Sequence, residues 1–498
     1  MSLSHKGVES IYEKLKAKAF NFYKNKNYLQ SLNYIAYSAK WAYRLNFKYV
    51  DCELEDLLKD ISESCFPKTK VGTDRTSRFV LLETHGMDNR GLTQQYIRAF
   101  MSMGVEFLYI SIDCIRSKCS DIIKELGGYD KAKILLFEKS ELDFLRKTEQ
   151  VLSELGAYNP TKIFLHLMPW DVVSLMVTHS LKGVTKYNIN LTDHAFWLGA
   201  SFIDYNLEFR AYGKTVSLEK RKLKENQLLY LPFYPILPKN EVCFQGFPLQ
   251  TDNKTIIFTG GAYYKMFGNN DLFFKIVDSL LDLSENAVVL IAGGGDISRM
   301  NKKLSKLKNK GRVLLIGNRK DINEVFKACD IYLDTYPIRG GLMEQYASLN
   351  AKSILAYSDF QAFGDNQEMF LQNLGNGVCG YNDWNSFIEY AGKLLNDVYY
   401  RKEEGYRNEQ LVPSVEAFNS NFSQLITTHI NVYEWKKITI KYNKIKELYL
   451  EVENMHTHAA TKELMRSLGL NTFIYFSQYT FHFLPQLMNL LIRKIGLK

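Results

Sequence analysis

Four apolar runs between Thr255 and Asp334 each end in residues that can hold an anion. Thr255 to Thr259 stops at Gly260 and Gly261, with Lys265 just beyond. Val288 to Ala292 stops at Gly293, and Arg312 to Ile316 stops at Gly317, followed by Asn318 and Arg319. Ile331 to Asp334 leads through Tyr336 and Arg339 to Gly340, Gly341 and, in the first turn of a helix, Glu344. This combination suits a nucleoside diphosphate, whose departing charge is stabilised by cations and backbone amides. Lys265 and Arg339 supply the counter-charges, and Gly340 and Gly341 let the backbone approach the phosphates. The helix beginning near Leu342 aims its N-terminus at them. Asn318 and Arg319 fall near the base or the phosphates. Singly, each residue has a plainer reading as a turn glycine, a solvated lysine or a glutamate favoured by the helix dipole. Their joint placement at the strand ends of one sheet favours a site.

A second set lies in Asn190-Leu191-Thr192-Asp193-His194-Ala195-Phe196-Trp197-Leu198-Gly199, directly after an apolar strand. Asp193 or His194 suits a general base that takes the proton of an attacking hydroxyl, and the sequence leaves the choice between them open. Phe196 and Trp197 suit stacking on a sugar ring, although aromatic residues beside a strand are more often core. Asp88-Asn89-Arg90-Gly91-Leu92-Thr93 follows the first strand, where Asn and Thr also suit a helix cap. Glu208-Phe209-Arg210 reads by default as a salt bridge within the fold.

Alternating strands and helices must position both sets. The apolar runs of the second half read as strands buried on both faces, as in parallel sheets, whose ligands sit outside the carboxyl ends of the strands. Arg78 to Thr84, Phe107 to Ile112, Ala132 to Phe137, Lys162 to Leu167 and Lys186 to Asn190 read as strands of an earlier α/β domain, with a helix from Leu92 to Met103. The expected division is a helical extension over 1–70, α/β domains over 75–245 and 250–412, and a helical tail over 413–498. Ile11 to about Leu58, broken at Asn25-Lys26-Asn27, reads as a helical hairpin like one tetratricopeptide unit. The polar stretch 67–74 reads as a linker, and the proline-bearing Leu231 to Pro238 as the connector between the α/β domains.

Composition bounds the function classes. The 498 residues are enough for two to four domains, and a hydrophobic fraction of 46% with 23% charged residues is that of an ordinary globular protein. A net charge of +9 permits an acidic partner such as a diphosphate or an anionic membrane surface without demanding one. Seven scattered cysteines in no CxxC arrangement read as reduced cytoplasmic thiols, and no zinc pattern is present. The first seven residues show no secretory signal, so a cytoplasmic location is expected. Nothing points to nucleic acid.

The arrangement resembles the GT-B glycosyltransferases, and among them the nucleotide-sugar transferases of bacterial glycan assembly. The resemblance covers roughly Arg78 to Pro413 and is carried by the second domain. Phe258-Thr259-Gly260-Gly261-Ala262-Tyr263-Tyr264-Lys265 is similar to the family's first donor loop. Asp330 to Pro337, with Gly340, Gly341 and Glu344, is similar to its nucleotide-sugar motif. The resemblance implies two Rossmann-like α/β domains in tandem, flanked here by the helical hairpin and tail. It implies a UDP- or GDP-linked sugar donor, no metal or other cofactor, and a glycan, lipid-linked saccharide or protein acceptor. Gly260, Gly261, Gly293 and Tyr336 would belong to the donor loops, and Glu344 would accept the ribose hydroxyls. Asp193 or His194 would face the cleft, with Arg90 and Gly91 in the acceptor loop. Two positions depart from the retaining branch of the family: Tyr336 stands where many members carry a glutamate, and Gly261 where many carry an arginine. A nucleotide-sugar epimerase of the same layout and a non-catalytic scaffold are the alternatives.

Between Arg466 and Arg493 the chain has no Asp, Glu, Lys or Arg. Polar residues from Asn471 to Asn489 interrupt it as a membrane span. Its aromatic crowding, followed by Leu490-Leu491-Ile492-Arg493-Lys494, suits a helix lying on the inner face of the membrane, or one packing back on the protein or on a second subunit.

Overall fold

The computed structural model describes residues 4–73, 77–89, 91–138, 143–236, 243–365, 380–381, 383–452, 454–481 and 483–484. Arg90, His482 and the stretch from Pro485 onward lie outside them. Two parallel sheets dominate. The first has seven strands in the spatial order Ala132–Glu138, Glu106–Cys114, Arg78–Glu83, Lys162–His166, Thr185–Ile189, Tyr205–Glu208, Leu228–Tyr230. The second has six, in the order Val313–Gly317, Ala287–Ala292, Thr255–Gly260, Ile331–Leu333, Ser353–Tyr357, Gly380–Tyr381. Every pairing within both sheets is parallel.

The apolar runs explain the second sheet. Ala287–Ala292 is buried at all six positions and Thr255–Gly260 at all but the first, because helices cover both faces. Val313–Gly317 departs from that expectation: it is the edge strand and only half-buried. Phe79, Phe100, Phe107 and Phe164 fill the core on one face of the first sheet. The helix Val415–Thr428 returns to that same core, setting Phe418 and Phe422 against Tyr96. The connector between the α/β domains is held from both sides: Gln95 Nε2 donates to the Tyr234 carbonyl (2.8 Å) and Gln345 Nε2 to that of Phe233 (2.9 Å).

The terminal segments differ from their simplest reading. Three helices open the chain, α1 (His5–Lys24), α2 (Tyr28–Leu45) and α3 (Cys52–Cys65), where the periodicity predicts two. Side-chain oxygens of Ser4, Asn27 and Asp51 cap their N-termini. The supposed linker is pinned, with Thr69–Lys70 pairing in parallel with Leu181–Lys182. The described part of the tail folds back: Phe476 and Phe483 are buried in one core with α1, α2 and α3, and Lys18 Nζ sits 3.6 Å from the Tyr475 ring centre. No helix among the described residues is long and apolar enough to cross a membrane. Leu470, Ile474 and Phe481 point outward, with Phe481 84% exposed.

Candidate functional site

The carboxyl ends of the two sheets face one cleft of about 450 Å³. One wall carries Gly91, Asp193, His194 and Arg210, and the other Lys265, Arg339, Gly341 and Glu344. Two segments outside the sheets complete it: Tyr43, Arg44 and Asn46 at the end of α2, and Ile445, Leu448 and Tyr449 of the helix Tyr442–Val452. That helix is tied to three parts of the chain. Lys446 pairs with Glu9, Glu451 accepts from the Asn269 amide, and Lys220 lies over the Tyr442 ring.

Asp193 and His194 follow the strand Thr185–Ile189 through a short loop. Asp193 is buried and accepts from Arg210 Nε (2.5 Å) and Nη2 (3.1 Å), and lies 3.3 Å from His194 Nδ1. Burial would raise its pKa, but the Arg210 charge and the His194 and Arg210 bonds hold its carboxyl well below the usual range. Asp193 is therefore a permanent anion that orients its neighbours. His194 is 42% exposed, and with Nδ1 engaged by Asp193 its Nε2 is the nitrogen left for a substrate proton. Of the two, the imidazole is the accessible group and the carboxylate the buried one.

Behind them lies a second buried carboxylate. Glu208 accepts from Asn190 (2.9 Å), Asn206 (2.6 Å) and Ser217 (2.5 Å). Burial pushes it up to about 7, against the pull of the nearby Arg221 charge. Arg221 in turn donates to the carbonyls of Thr192, Asp193 and Ala195, fixing the loop. Phe196 and Trp197 are not available for stacking on a sugar. Phe196 is fully buried against α-helical residues of the terminal core, and Trp197 is 6% exposed with the Arg221 guanidinium 5.1 Å from its ring centre. Arg90 lies outside the described residues. Gly91 (φ +69°) sits over His166, where a Cβ would come within 3.2 Å of the ring; His166 Nδ1 is 2.7 Å from the buried Glu83.

The opposite wall is built on the turn after Ile331–Leu333. Arg339 Nη1 donates to Glu344 Oε1 (2.9 Å), Arg339 Nε lies 3.6 Å from Asp334 Oδ2, and Lys265 Nζ donates to the Arg339 carbonyl (3.0 Å). Glu344 is fully buried; burial first, then the Asp334 charge, raises its pKa well above the usual carboxylate range. Burial also lowers the Lys265 pKa, opposed by Asp334 and Glu344. Two nitrogens here, Arg339 Nε and Nη2, are buried without a hydrogen-bond partner, while the Asp334 and Glu344 carboxyls bond each other. Buried polar groups are normally paired, so orphans gathered at one cleft mark a place where a polar ligand completes the network.

No family model matches the chain, and no curated protein matches it. Solved structures do. HepE of Anabaena, in complex with UDP, superposes with a TM-score of 0.52 at 12% identity, over 70% of this chain and 100% of its own. The O-GlcNAc transferase of Thermobaculum terrenum gives 0.52 at 13% identity, over 86% and 81%. TarM gives 0.52 at 9% identity, over 71% and 99%. This chain has the GT-B fold.

Within the GT-B frame, the remaining expected donor residues fall away from the cleft lining. Gly260, Gly261 and Gly293 let strand ends pack: a Cβ on Gly260 would lie 2.8 Å from Met343 Cε, and one on Gly293 (φ +138°) 1.8 Å from the Gly261 carbonyl oxygen. Asn318 is exposed beside Gly294. Arg319 is taken up by a two-point pair with Asp321 and by the Gly246 carbonyl. Tyr336 is buried and accepts from Asn269. The Gly340 amide, expected to face phosphates, turns inward to Asp334 Oδ1 (3.0 Å). Sequence reasoning missed Asp334 as a site residue although it stood at a strand end, and took Arg210 only for a structural salt bridge. It had no signal for Asn46 or for residues 445–449, which reach the cleft by tertiary packing alone.

Proposed function

We propose that the protein transfers a sugar from a nucleotide-diphosphate donor, UDP- or GDP-linked, to a hydroxyl of a glycan, lipid-linked saccharide or protein. One observation carries the reading: an oriented imidazole on one wall of the cleft opposes a cationic cluster with unpartnered polar atoms on the other. His194 takes the acceptor proton, with Asp193 fixing its tautomer and stabilising the imidazolium. Lys265 and Arg339 meet the charge of the departing diphosphate, so this reading requires no metal. The UDP in the HepE structure supports a UDP-linked donor. The outward Leu470, Ile474 and Phe481 suit a cytoplasmic membrane surface for the work.

The test is to incubate the full chain with UDP-glucose, UDP-N-acetylglucosamine and GDP-mannose, with and without EDTA, and to follow nucleoside diphosphate and product by mass spectrometry. Release of the diphosphate from one donor, unchanged by EDTA, is expected. Release from none overturns the reading, and an isomerised nucleotide sugar with no diphosphate released favours an epimerase.

A further inference from the structure

The N-terminal helices do more than cover the first sheet. Glu55 of α3 accepts from the Gly199, Ala200 and Ser201 amides (2.7, 3.0 and 2.9 Å), and so grips the far end of the loop that carries His194. Asn46, the C-cap of α2, grips the near end: its Nδ2 donates to the His194 carbonyl (3.1 Å). Asn46 is 3% exposed, it lines the cleft, and its Oδ1 has no partner. Its backbone is left-handed (φ +43°), a conformation that few side chains besides Asn adopt readily. A buried carbonyl oxygen in a cleft, one residue layer from the candidate base, lacks only a hydroxyl or amide donor.

Resting on the glycosyl-transfer reading, we propose that α2 forms part of the acceptor site. Asn46 Oδ1 accepts a hydrogen bond from a hydroxyl of a sugar acceptor, next to the hydroxyl that His194 deprotonates. The acceptor then lies between Asn46 and His194, and the N-terminal unit selects it as well as positioning the loop.

The experiment uses whichever of UDP-glucose, UDP-N-acetylglucosamine or GDP-mannose is turned over, with the methyl β-glycosides of glucose, galactose and N-acetylglucosamine as acceptors. Asn46→Gly keeps the left-handed backbone and removes the oxygen; Glu55→Gln disturbs the other grip without touching the acceptor. Expected for Asn46→Gly is a rise of about five- to tenfold in the glycoside KM, one neutral hydrogen bond's worth, with the donor KM unchanged. Glu55→Gln is expected to lower kcat and leave the glycoside KM alone. If Asn46→Gly behaves like Glu55→Gln, or changes nothing, the proposal is overturned. A wild type that hydrolyses donor but uses none of the glycosides also overturns it while leaving the donor reading standing. A wild type that takes no donor removes both.

Discussion

The two walls of the cleft use charge in opposite ways. On the first-sheet wall, Asp193 is answered by Arg210 and His194, and Glu208 by three donors. On the second-sheet wall, Arg339 leaves two buried nitrogens, Nε and Nη2, without a hydrogen-bond partner. Carboxylates that are fully answered are held rigid without a ligand, which suits orientation of a base. An unsaturated wall carries a desolvation cost that binding relieves, which suits recognition of a polar, charged ligand. The contrast teaches that the same residue types, a carboxylate beside an arginine, serve positioning in one place and binding in the other.

The largest effect that can break this contrast is at His194. His194→Ala should lower turnover by about 10²- to 10⁴-fold, the usual range for a lost general base, while calorimetric donor affinity stays at the wild-type value. Equal loss of both would place His194 among binding groups. Arg339→Ala should do the reverse, weakening nucleotide affinity. It should also cost about 3–5 kcal/mol of stability in denaturant titration, since it strands the buried Asp334; an unchanged midpoint would deny that the cluster is coupled.

A pH experiment sharpens the other wall. Glu208 sits at about 7 in the fold, above its ordinary 4.5, so its folded form holds the proton more tightly. Its contribution is then fully present below about 4.5 and is lost as pH rises towards about 7, on the order of 3 kcal/mol for a shift of that size. Melting temperature should fall across that window, and Glu208→Gln should flatten the slope; a parallel slope in the variant would refute the burial argument. The smallest effect belongs to the tail. Ile474→Asp with Phe481→Asp should alter stability by less than about 0.5 kcal/mol, as exposed sites do, yet reduce flotation with anionic liposomes. Undiminished flotation would remove the outward face as a membrane surface.

Much of this arrangement was readable from residues alone because it is local. A strand buried on both faces writes itself as an uninterrupted apolar run, which is why Thr255–Gly260 and Ala287–Ala292 were legible to within a residue or two. That Lys265, Arg339, Glu344 and the Asp193-His194 pair line one cleft was legible because the carboxyl ends of both sheets face it. The misreadings are of long range. Arg319 looks like a ligand until Asp321 is seen beside it, and Phe196 looks like a stacking platform until α2 and α3 cover it. Asn46 and the helix Tyr442–Val452 reach the cleft from segments outside both sheets, and nothing in their own neighbourhood records that arrival. The tail is the middle case: its aromatic richness was evident, but only packing decides which of its aromatic residues face α1 and which face outward.

Everything proposed here depends on the second-sheet wall binding a nucleoside diphosphate. Isothermal titration of UDP and GDP into the full chain tests it most directly, alongside Lys265→Ala and Arg339→Ala. Saturable binding of at least one of the two nucleotides by the wild type is expected, weakened about tenfold or more in each variant, as for lost hydrogen bonds to a charged group. Binding of neither nucleotide, or binding that both variants leave unchanged, would contradict it.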